Sequence, residues 1–164
     1  MKRFGVAFSG PSNSGKTTLI EKISIELRGK KEVAIIKHDP KDKAIFDTIG
    51  KDSHRFFETG AKVIVSSPTR TTYFSHTSQG LDELIELFGR FDLLLVEGLK
   101  TVPLPRISIF RNEIDVAYLS VSQAIAIDDS IDLSLYEIPK EIDILDLNDT
   151  LAIIAWIEKN AKAI

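Results

Sequence analysis

Cysteine is absent from the 164 residues. That excludes disulfides, thiolate zinc centres and cysteine nucleophiles. Histidine is limited to His38, His54 and His76, which gives a dedicated transition-metal centre few ligands. No apolar run approaches the roughly 18 residues that a membrane helix needs. Positive charge is not in excess either. The formal net charge of −3 supplies no global basic field to attract nucleic acid or an anionic membrane. Met1-Lys-Arg-Phe4 leads straight into a strand-like pattern, with no apolar signal region. These absences predict a cytoplasmic protein with neither nucleic acid nor membrane as partner. The length predicts a single domain, residues 1–164, with a substantial core.

What the chain does have is Gly10-Pro11-Ser12-Asn13-Ser14-Gly15-Lys16-Thr17, which fits the G-x-x-x-x-G-K-[ST] phosphate-loop pattern. A phosphate chain is densely negative. Gly10 and Gly15 let the backbone turn so that successive N–H groups point inward as an anion nest. The helix that follows adds its positive N-terminal end. Lys16 is expected to reach the β- and γ-phosphates, and the Thr17 hydroxyl to hold Mg²⁺. Thr18 continues the nucleotide-binding stretch. The flanks agree. Phe4–Phe8 is apolar and strand-like, and Thr18–Leu27 places Leu19, Ile20, Ile23 and Leu27 on one helical stripe.

Strand-like segments recur at 31–37, 61–66, 71–75, 91–97, 106–110, 116–119 and 123–127. Helical patterns lie at 51–59, 78–88 and 150–158, with Asn148 or Asp149 as cap of the last. This alternation predicts an α/β fold of the P-loop NTPase type. A mostly parallel central sheet is flanked by helices on both faces, with short edge or antiparallel strands. The run Phe91–Glu97 is apolar throughout until its final acid, as in a strand buried on both sides.

Further candidates lie at predicted strand ends, where ligands of open α/β sheets bind. Glu97, followed by Gly98, sits at the position of a metal-binding acid. Asp39 is a candidate to hold a metal-bound water or to orient the attacking water, which makes Lys16, Asp39 and Glu97 the candidate catalytic set and Thr17, Asp39 and Glu97 the candidate Mg²⁺ set. His38 is a candidate for phosphate binding or proton transfer. Lys51 and Arg55 are placed to meet an anionic substrate or to compensate transition-state charge, although Asp52 or Ser53 there also suits a helix cap. Lys100 and Arg106 are candidates for contact with an anionic ligand. Asp128 is a candidate acceptor for guanine, although no N-K-x-D motif accompanies it.

Several of these segments together resemble the MobB family of molybdopterin-guanine dinucleotide biosynthesis adapter proteins. The resemblance rests on Gly10–Thr18, Ile36-Lys-His-Asp39, Asp47 with Gly50-Lys-Asp-Ser-His-Arg55, Gly60-Ala61, Leu95-Val-Glu-Gly-Leu-Lys100 and Leu104-Pro-Arg-Ile107. It spans nearly the whole chain. Where the family often carries a second histidine after Lys-His-Asp, this chain has Lys41 and Asp42. The resemblance implies a cytoplasmic, dimeric GTP-binding protein with weak Mg²⁺-dependent GTPase activity. It also implies a role beside the nucleotidyltransferase that attaches GMP to molybdopterin, hence contact with the molybdenum cofactor and that partner. The residues alone leave three rival readings: a small-metabolite kinase, a nucleotide-dependent metallochaperone or ATPase adapter, and a P-loop module that binds nucleotide only to stabilise an interface.

Overall fold

The computed structural model describes residues 2–164. Two compact units emerge. One runs through His38 and resumes over Phe88–Ile164, and the other is Asp39–Leu87.

The first unit is built on a seven-stranded sheet. Its strands are β1 (Phe4–Ser9), β2 (Val33–Lys37), β5 (Leu93–Glu97), β6 (Arg106–Phe110), β7 (Ala124–Ile127), β8 (Asp143–Asp146) and β9 (Lys162–Ala163). The order is β2-β5-β1-β6-β7-β8, all parallel. The short β9 pairs antiparallel with β1 at Phe4 and Gly5, while β6 takes the same strand further on, at Ala7–Ser9.

Strand side chains alternate between the two faces, and here both faces are apolar. Val6, Phe8, Leu93, Leu95, Ile107, Ile109, Ala124 and Ala126 share one cluster with α1 (Lys16–Leu27) and α4 (Thr150–Asn160). The predicted stripe Leu19, Ile20, Ile23 and Leu27 is buried in that cluster. The alternate residues Phe110, Ile125 and Ile127 pack with Ile114, Ile131 and Ile142 in another. Asp149 caps α4 by accepting a hydrogen bond from Ala152 N–H at 2.9 Å.

The second unit holds α2 (Asp52–Phe57) and the antiparallel pair β3 (Val63–Ser66) and β4 (Thr71–Phe74). The His76 ring stacks on Phe57 at 3.7 Å between centroids, which ties the end of the hairpin to α2. Helix α3 (Leu81–Phe88) leads back to the first unit.

Three local expectations needed correction. Residues 116–119 are not a strand but part of a 3₁₀ segment, Val116–Val121. The Asp115 carboxylate accepts from Ala117 N–H there and starts a tight turn in place of an extended chain. β8 and β9 went unread because they are short and gain their definition from β7 and β1, not from local alternation. α2 starts at Lys51 with no side-chain cap, since the Ser53 hydroxyl donates to Asp47 Oδ1 instead.

Candidate functional site

The loop between β1 and α1 departs from ordinary backbone at three places. Gly10, Asn13 and Gly15 have φ of 135°, 64° and 99°. At Gly10 the requirement is also steric. A Cβ there would stand 2.3 Å from the Ile109 carbonyl oxygen of β6, so only glycine lets the loop lie so close to the neighbouring strand. Helix α1 then begins with no side-chain cap, which leaves its first N–H groups for a ligand.

Inside the loop, Lys16 Nζ donates to the carbonyls of Gly10 at 2.9 Å and Pro11 at 2.6 Å. Burial pulls its pKa below 10.5, while Glu97 raises it and Lys37 lowers it. The Ser14 hydroxyl is buried and has no hydrogen-bond partner among the described residues. A buried polar group without a partner is unfavourable by about 1–3 kcal/mol.

Glu97 ends β5 beside this loop. It is register partner to Phe8 on β1 and to Lys37 on β2. Lys37 Nζ lies 3.2 Å from each of its carboxylate oxygens. Ser12, Asn13, Gly15, Lys16, Thr17, Thr18, Lys37, Glu97 and Arg111 line one open cleft of about 570 Å³. Oxygen donors from Thr17 and Glu97 suit a hard cation such as Mg²⁺, and the glycine-built nest with its orphaned Ser14 hydroxyl suits a phosphate chain.

The other candidates each have their own surroundings. Asp39 belongs to the second unit, where its carboxylate accepts from the N–H groups of Lys41, Lys43 and Ala44 and shapes the loop that follows. Arg55 on α2 of that unit is exposed, and so is Lys51, which precedes the helix as its N-cap residue. His38 is exposed at the end of β2, its N–H donating to the Glu97 carbonyl. Lys100 lies over the Tyr118 ring at 5.3 Å.

Arg106 is the clearest departure from expectation. It is 2% exposed. Its guanidinium donates to Ser9 Oγ and to the carbonyls of Leu99 and Lys100. Its donors are spent on fastening the loop after Glu97 to β1, not presented to a ligand. Burial pulls its pKa below the usual value.

Asp128 is also engaged. It accepts from Ser130 N–H and Oγ, and Arg111 Nε stands 3.3 Å from its other oxygen. The Ser130 hydroxyl foremost, with Arg111 assisting, holds the carboxyl below its usual value. Arg111 was missed by sequence reasoning. The one signal was its place just past a predicted strand end. Among the described residues no cluster of three or more acids or histidines forms a metal centre.

A strand, a glycine-built nest, a helix and an acid closing the adjacent parallel strand define the P-loop NTPase class. Residues 6–129 match the family model described as molybdopterin guanine dinucleotide synthesis protein B, and the chain belongs to that family. It is 35% identical to the molybdopterin-guanine dinucleotide biosynthesis adapter protein of Haemophilus influenzae, covering 93% of this chain and 86% of the relative. The Escherichia coli protein of the same name is 30% identical, over 94% and 93%. The crystal structure of Bacillus subtilis MobB superposes with a TM-score of 0.76 at 25% identity, covering 96% of this chain and 98% of that one.

Proposed function

We propose that this chain is a GTP-binding adapter in molybdopterin guanine dinucleotide biosynthesis, with slow Mg²⁺-dependent GTP hydrolysis. The observation that carries the reading is the phosphate loop itself. Lys16 rests on two loop carbonyls beside an orphaned Ser14 hydroxyl, an arrangement in which a phosphate chain supplies the missing partners.

The chain's own residues have three tasks. The N–H groups of residues 10–18 cradle the phosphates. Lys16 turns from the carbonyls to the β/γ oxygens. Thr17 and Glu97 hold Mg²⁺, which neutralises developing charge when bound. Hydrolysis on such a site is positioning and electrostatic stabilisation. Glu97, the acid at the end of β5 beside the loop, is held by Lys37 and is not free to act as a base on the attacking water. Slow turnover by the isolated chain follows.

The family relatives are adapter proteins by name. On that ground we extend the reading to molybdopterin as a second anionic ligand and to the GMP-attaching nucleotidyltransferase as partner, in a cytoplasmic homodimer. Within the first unit, His38 and Lys100 are exposed and are our candidates for that second ligand. Among the described residues no helix is long and apolar enough to cross a membrane.

The test is GTP against ATP affinity with Mg²⁺, for the natural chain and for Lys16→Ala. Preference for GTP, with both nucleotides weakened in the variant, is expected. Equal affinities would remove the guanine assignment. GTP binding untouched by Lys16→Ala would remove the phosphate loop from the site.

A further inference from the structure

Arg111 follows β6 directly, and its side chain, 45% exposed, opens on the same cleft as Lys16 and Thr17. A Cβ at Gly15 would come within 3.5 Å of Arg111 Nε and 3.8 Å of Cζ and Nη2. The guanidinium therefore lies against the last turn of the loop, with no side chain between.

This position has a partner of opposite charge. Nε pairs with Asp128 Oδ2 at 3.3 Å, and the Asp128 side chain is only 11% exposed. Asp128 Oδ1 is fixed by Ser130. The same Ser130 hydroxyl accepts from the N–H of Asn112, the next residue after Arg111, at 2.8 Å. Asn112 has φ 65°, a left-handed turn that this bond secures. Two strand ends, β6 and β7, are thus locked together so that one cation is aimed at the loop. Because Asp128 engages Nε, the two terminal nitrogens keep donors for a forked contact with an oxyanion.

Strand order says which part of a ligand they meet. β1 lies between β5 and β6. Glu97 and Lys37 flank the loop from the β5 and β2 side, and Arg111 and Asp128 from the β6 and β7 side. The metal acid marks the side of the terminal phosphate. Arg111 is on the other.

We propose that Arg111 binds the nucleoside-proximal phosphates of the nucleotide, and that Asp128 is its positioning residue. The proposal rests on the nucleotide reading given above. It assigns Asp128 to the phosphates through Arg111 and not to the guanine base.

The test is binding of GTP, GDP and ATP to the full chain with Mg²⁺, for Arg111→Ala, Arg111→Gln, Asp128→Ala and Arg111→Ala/Asp128→Ala. Loss of a charge-assisted contact predicts weakening of about tenfold to a hundredfold in either Arg111 variant. The factor should be the same for GTP and GDP, since both carry those phosphates. Asp128→Ala should weaken binding less, and should add nothing once Arg111 is gone. Unchanged affinity in Arg111→Gln overturns the proposal while leaving nucleotide binding by the natural chain in place. Weakening for GTP alone moves Arg111 to the terminal phosphate and overturns the assignment. A change in the GTP:ATP ratio on removing Asp128 in the Arg111→Ala background returns Asp128 to the base. A natural chain that binds no nucleotide overturns the function reading, and this one with it.

Discussion

Lys37 and Glu97 are register partners on adjacent parallel strands, and their side chains meet at 3.2 Å above the phosphate cleft. The pair is asymmetric. Lys37 is 63% exposed while Glu97 is 12% exposed. The lysine can swing into solvent, but the acid stays at the wall of the cleft. Glu97 therefore already has a cation partner, one that Mg²⁺ would have to displace under the proposed function.

Glu97→Gln removes the charge that would favour Mg²⁺ and keeps the shape. Binding of nucleotide in the presence of a chelator should be little changed. The gain in affinity on adding Mg²⁺ should fall by about tenfold or more, the scale of a lost interaction with a charged group. Titrations with and without Mg²⁺ measure this directly. An undiminished Mg²⁺ effect would remove Glu97 from the metal site.

Ser14→Ala tests the orphaned hydroxyl. Removing a buried polar group that lacks a partner should stabilise the nucleotide-free chain by about 1 kcal/mol. The same change should weaken GTP binding, because a partner for the phosphates is lost. Thermal unfolding with and without GTP reads both effects. Equal destabilisation in both states would mean that Ser14 serves the fold alone.

Lys16 makes stability depend on pH. Its folded pKa is lowered, mainly by burial, from 10.5. The folded state therefore releases the proton before the unfolded chain does. The penalty of the buried charge is fully present below the folded pKa and is relieved as pH rises towards 10.5. Without nucleotide, Lys16→Met should be more stable than the natural chain at neutral pH. That advantage should shrink as pH climbs through the window ending at 10.5. Denaturant unfolding across that range is the measurement, and an advantage that grows with pH would contradict it.

Arg106→Leu should be among the most damaging single changes. It leaves Ser9 Oγ and the carbonyls of Leu99 and Lys100 without their donor. Each acceptor left unsatisfied in the interior is unfavourable by about 1–3 kcal/mol, so a loss of a few kcal/mol is expected. Chemical denaturation checks the magnitude. Retained stability with lost ligand binding would instead return Arg106 to the role of an anion contact.

Much of the site was legible in the chain because its chemistry is local. Gly10, Gly15, Lys16 and Thr17 lie within one turn of backbone, so their spacing alone implies a nest at a helix start. The buried stripe of α1 and the apolar run of β5 follow from periodicity in the same way. Arg106 and Lys100 looked alike, as basic residues in a proline-containing loop. One is buried on three partners and the other lies over an aromatic ring. Nothing local separates them, because the strand position of Arg106 beside Ser9 is set by pairing of β1 with β6.

The amino-acid order by itself determined the glycine-built loop, the lysine and threonine that end it, and the acid at the end of an apolar strand. These depend on backbone turns and short spacings, which the chain carries wherever it folds. Tertiary structure alone decided which distant charges face that nest. Lys37 meets Glu97 across 60 residues, and Arg111 meets Asp128 across two strand ends. Both pairs exist because the strand order β2-β5-β1-β6-β7 brings their ends side by side. That order is fixed by burial of both sheet faces, a property of the whole first unit and of no single segment.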